Sequence, residues 1–143
     1  MKSLLITSIL TLLTFQLYAY DSEELNADVN TVAKVISEDS RNSVVLFLVH
    51  GDSGISGKNR MAVMIAKNAI NGMKREGVEH DALIRLLGRM MSKDDAAIDS
   101  RRYAYSRLRA FSDKSSLAKK EIEDAKSIIL SRDDDPMKPT IEK

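Results

Sequence analysis

The sequence predicts an all-α fold, a compact bundle of five to six short helices after a cleaved signal peptide. Three observations carry this reading. Apolar residues recur at steps of three and four along most of the chain, which lines them up on one side of a helix. Only one run, Val44-Val45-Leu46-Phe47-Leu48-Val49, reads as a strand, and no comparable second run could pair with it. A lone strand leaves its backbone groups unsatisfied. The chain opens with Lys2, an apolar run from Leu4 to Leu17 and a small residue at Ala19, the layout of a secretory signal.

That opening run is shorter than the roughly 20 apolar residues a membrane-spanning helix needs. It is read as a signal peptide over 1–19, cleaved after Ala19, and no later run is long enough to span. The first helix of the mature chain is expected over 23–37, with Leu25, Val29, Val32, Ala33 and Ile36 inward. Asp39 and Ser40 offer a cap for a second helix over 41–50, apolar all round and therefore central, ending at Gly51. A glycine-rich loop over 51–57 leads to a third helix at 58–75, with Met61, Met64, Ile65, Ala69 and Met73 as its core face.

The fourth helix, 79–92, places Leu83, Leu86, Leu87 and Met90 inward and Arg85 and Arg89 outside. The fifth starts near Lys93-Asp94-Asp95, acids that a helix N-terminus favours, and presents Ala97, Ile98, Arg101, Ala104, Tyr105 and Leu108. Ser112 or Asp113 caps a sixth over 115–131, built on Ala118, Ile122, Ala125 and Ile129. Lys119 and Lys120 precede Glu123 and Asp124 by helical spacing, so the outer face is an ion-pair surface. Asp133-Asp134-Asp135-Pro136 then breaks the helix. The organisation is one helical domain over 20–132 and a flexible polar tail over 133–143.

Composition narrows the function. Without Lys2 the chain holds 21 basic and 21 acidic residues, a balance unlike that of a nucleic-acid or polybasic membrane binder. The acids gather in 21–55 and the bases in 56–92, two halves expected to complement each other within one fold. The chain has no cysteine. Thiol catalysis, Cys-ligated zinc and disulfide stapling, the usual support of small secreted domains, are all excluded.

Gly51-Asp52-Ser53-Gly54 resembles the segment around the nucleophile of trypsin-like serine proteases. That chemistry needs a His base and a buried Asp that reach the Ser, and here the only upstream His is the adjacent His50. The loop is therefore read as a helix terminator. It also misses the nucleotide-binding pattern: five residues separate Gly51 from Gly57, and Asn59 follows Lys58. Free N–H groups at the third helix start, with Ser56, Lys58 and Arg60, form a candidate anion site. Methionines on apolar faces are core filler, and His50 and His80, thirty residues apart, make no metal pair. The basic cluster Arg101, Arg102, Arg107 and Arg109, interleaved with Tyr103 and Tyr105, is the best candidate contact surface, because Arg and Tyr dominate interface hot spots. Arg101, Arg102 and Arg109 are assigned as partner-binding, with no catalytic residue, metal or cofactor.

These readings favour a small exported, non-enzymatic interaction protein of the bacterial envelope: an inhibitor, immunity-type protein, chaperone or accessory subunit. Its partner would be another protein, not a nucleic acid. The alternatives are a secreted effector acting outside the cell and a small hydrolase using Ser53.

Overall fold

The computed structural model describes residues 21–54 and 60–143; the expected signal peptide, Ser56 and Lys58 lie outside them. Among the described residues the chain is an all-helical bundle. Its elements are α1 (Ser22–Ala33), α2 (Glu38–His50), a 3-10 turn (Gly51–Gly54), α3 (Arg60–Asn71), α4 (Gly77–Ser92), α5 (Ile98–Ser112), α6 (Ser116–Leu130) and α7 (Lys138–Ile141). The apolar run at 44–49 is helical, as lone-strand energetics require. Asp21 and Ser115 cap α1 and α6, accepting hydrogen bonds from the backbone N–H groups of Glu23 and Ala118. The α6 cap lies two residues beyond the latest position expected for it.

The central helix is α4 rather than α2. It packs on α1, α2, α5 and α6 and buries Ala82, Leu83, Ile84, Leu86, Leu87, Met90 and Met91. In α2 only Val44, Phe47 and Leu48 are buried, because α2 sits between α4 and the outlying α3. Gly88 matters to the α4–α6 packing. A Cβ there would stand 3.0 Å from the Glu121 Cβ and closer still to its carboxylate. Burial pushes the Glu121 carboxyl above its ordinary range.

The arginines organise the helix ends. A helix leaves its last carbonyls without intrahelical partners, and a cation there also meets the negative end of the dipole. Arg41 donates from Nε to Ala33 O (3.0 Å) and from Nη2 to Ile36 O (3.1 Å) at the end of α1. Arg89, expected outside, reaches Val49 O of α2 at 2.9 Å. At the end of α4, Arg101 Nε donates to Met91 O (3.0 Å) and Arg132 Nη1 to Ser92 O (2.6 Å). Arg85, also expected outside, forms a two-pronged pair with Asp28 of α1 at 2.9 and 2.8 Å. This pair joins the acidic and basic parts of the chain, as the charge pattern anticipated.

In place of the loose tail expected over 133–143, the C-terminal segment is docked. Asp135, Met137 and Ile141 are buried. The Arg101 and Asp135 side chains are 0% exposed and pair at 2.8 Å. Asp135 also accepts from Arg132 Nη1 (3.0 Å) and the Met137 N–H (2.8 Å). Burial alone would raise this carboxyl, but the hydrogen bonds from Arg101, Met137 and Arg132 outweigh it and hold it down at about 2.

Two outcomes follow from the packing. Removing Asp135 strands a buried guanidinium, so Asp135→Ala should cost roughly 3–5 kcal/mol in urea unfolding. The carboxyl is depressed from 3.8 to about 2, so its contribution is complete above the ordinary value and is lost as pH falls through about 2. The acid-induced loss of stability should accordingly be shallower in Asp135→Ala than in the parent. Gly88→Ala offers about 1 kcal/mol of helix propensity but crowds Glu121. Overpacking of about 1–3 kcal/mol should win, giving a net loss by thermal or urea unfolding that shrinks when Glu121→Ala is combined with it.

Candidate functional site

The 51–54 turn is held by its neighbours. Gly51 has φ +74°, in the left-handed region that suits glycine. A Cβ on it would lie 2.9 Å from Ser100 Oγ and 3.3 Å from Met90 Sδ. Ser100 Oγ accepts from the Asp52 N–H (2.8 Å) and donates to Asp52 Oδ1 (2.9 Å). The Asp52 carboxylate is thus engaged with α5. His80 lies ten residues before Met90 on α4, about 15 Å along the helix axis, with its ring edge against Phe111 at 4.6 Å. Burial lowers its pKa, and its Nδ1 has no hydrogen-bond partner among the described residues. No group of three or more His, Cys, Asp or Glu side chains among the described residues is placed to hold a metal. None of the described helices is long and apolar enough to cross a membrane.

The basic cluster on α5 divides by depth. Arg101 is fully buried in the pair with Asp135, so it cannot be the partner-binding residue expected from the sequence. Its burial follows from its place on the Ala97–Ala104–Leu108 face, where it meets the carbonyl end of α4. Arg107 lies with its guanidinium carbon 5.1 Å from the Phe111 ring centre, and that of Arg75 is 5.3 Å from the same ring. Arg102 and Arg109 are exposed, and neither takes part in any ion pair among the described residues. Arg109 stacks over the Tyr105 ring at 5.6 Å. Between α5 and the docked C-terminus, Arg102, Tyr105, Ser106, Arg109, Thr140 and Lys143 line an open groove of about 770 Å³. The C-terminal residues form one wall of this groove because the buried Asp135 and Ile141 hold them there.

The core face expected for α3 is borne out at Ala69 and Met73, which pack against the core, but not at Met61, Met64 and Ile65. Met61 and Met64 are 70% and 62% exposed and Ile65 is 37% exposed, whereas Ala66 and Ile70 are buried. Residues 61–66 read Met-Ala-Val-Met-Ile-Ala, apolar on every side, so helical spacing admits either face. Packing chooses the face with small Ala66, which lets the backbones of α2 and α3 come close. Across from it, Tyr103 of α5 donates to Asn71 Oδ1 at 2.8 Å, and Lys67 stands 5.1 Å from the Tyr103 ring centre. Burial pushes the Tyr103 hydroxyl up to about 12. Met90 and Met91 are fully buried core filler as expected. Arg60 is exposed at the first position of α3; Ser56 and Lys58, the other residues of the candidate anion site, lie outside the described residues.

Compared with known proteins, the chain matches no family model, and no curated protein or solved structure matches it significantly.

Because Met61 and Met64 are exposed, a double Met61→Lys, Met64→Lys variant should unfold within about 0.5 kcal/mol of the parent in urea, the range of ordinary surface changes. A core position would instead lose several kcal/mol by the same measurement.

Proposed function

We propose that the chain is a small exported, non-enzymatic interaction protein that binds another protein in the bacterial envelope, as an inhibitor, immunity-type protein, chaperone or accessory subunit. The observation that carries this reading is the α5 groove. Arg102 and Arg109 flank it without carboxylate partners, although the bundle satisfies so many of its other arginines internally. Exposed arginine beside tyrosine is the composition of an interface hot spot. The outward Met61, Met64 and Ile65 of α3 add apolar surface of the kind contact surfaces use. Export rests on the layout of residues 1–19.

The mature chain from Tyr20, immobilised and exposed to the envelope fraction of its source, should retain one protein at equal stoichiometry. The pair should re-form from purified components. Failure to re-form would overturn the reading, as would labelling of Ser53 by a fluorophosphonate probe that is lost in Ser53→Ala. Recovery of the chain and its partner from the medium would favour the second reading, an effector acting outside the cell.

A further inference from the structure

The α5 groove has a chemistry that narrows its partner. From Arg102 to Asp113 the lining runs eleven positions along α5, about 16 Å at the helical rise. That is the span of roughly five residues of extended chain. Arg102 and Arg109 are seven positions apart, which puts their α-carbons about 10 Å apart along the axis. Their counterparts would be two carboxylates two or four residues apart on an extended segment, where alternate side chains share a face, or seven apart on a helix.

Arginine presents a planar fork that meets a carboxylate through two parallel hydrogen bonds. Ser106 and Thr140 add hydroxyls to the lining, and among the described residues its only carboxylate side chain is Asp113, at one end. The Tyr105 ring is part of the lining, with Arg109 5.6 Å and Lys126 Nζ 5.9 Å from its centre, which adds an aromatic surface among cations. A mixed lining of this kind suits a peptide with side chains of its own better than a bare polyanion.

We infer that this groove docks a short acidic protein segment, its carboxylates on Arg102 and Arg109 and its backbone beside Ser106 and Thr140. The inference rests on the interaction-protein reading and names the chemistry of the partner.

The mature chain, isotopically labelled for nuclear magnetic resonance, is titrated with a twelve-residue oligo-glutamate. Amide shifts should concentrate at 102–113 and 140–143 and fade as salt is raised, since exposed pairs are screened. Arg102→Glu combined with Arg109→Glu should weaken binding about tenfold or more. Lys34→Glu combined with Lys119→Glu, which changes net charge equally away from the groove, should not. The two arginines are exposed and unpaired, so circular dichroism should report an unchanged fold.

Shifts centred elsewhere, or equal losses in both double variants, would overturn the inference. So would displacement of the peptide by a single-stranded oligonucleotide of equal charge that binds more tightly at the same residues. The captured native partner separates the two levels. If Arg102→Glu with Arg109→Glu retains it as the parent does, acidic docking fails and the interaction reading stands. If the parent retains no partner, the interaction reading fails and the inference falls with it.

Discussion

The carbonyl end of α4 is where the bundle is tied together. A central helix that buries nearly its whole circumference must also end inside the protein, and its last carbonyls need donors that water cannot supply there. Arg101 from α5 and Arg132 from the segment after α6 provide them. Placing an arginine in the interior has a cost of its own, because a buried guanidinium without a counter-charge is strongly destabilising. Asp135 meets that need, and its own remaining lone pairs take the Met137 N–H and Arg132. One site thereby joins α4, α5 and the C-terminal segment in a chain that has no cysteine for a disulfide.

The same logic recurs at lower burial. Arg41 closes the end of α1, Arg89 closes α2, and Arg85 pairs with Asp28 across α1 and α4. These contacts hold neighbouring elements together, and two of the bases between 56 and 92, Arg85 and Arg89, serve them. Arg102 and Arg109 are exposed and line the groove instead. The wall opposite them exists only because Asp135, Met137 and Ile141 are buried; without that anchoring there would be two exposed arginines and no groove.

Much of the helical pattern was legible from residue spacing. The face of α6, Ala118, Ile122, Ala125 and Ile129, is buried as expected, and so are Leu83, Leu86, Leu87 and Met90 of α4 and Val29 and Val32 of α1. Spacing failed on α3, where residues 61–66 are apolar on all sides and periodicity has no phase to report. It also failed on the tail, whose polar composition hides three residues that the core takes in. Of the α5 groove, Arg102 and Arg109 were recognisable as one side of the helix from their heptad spacing. Arg101, their neighbour in sequence, sits about 100° away around the helix and belongs to the core.

The amino-acid sequence by itself determined the all-helical class, the absence of disulfides and the balance of charge, because these depend on composition and on local periodicity. Tertiary structure decided which helix is central, which face of α3 is covered and which arginines remain at the surface. These outcomes depend on which carbonyl ends become buried and on which small residues let two backbones approach, and both arise only when distant segments meet. The bundle class was a local property; the groove between α5 and the C-terminus is a consequence of one long-range ion pair, Arg101 with Asp135.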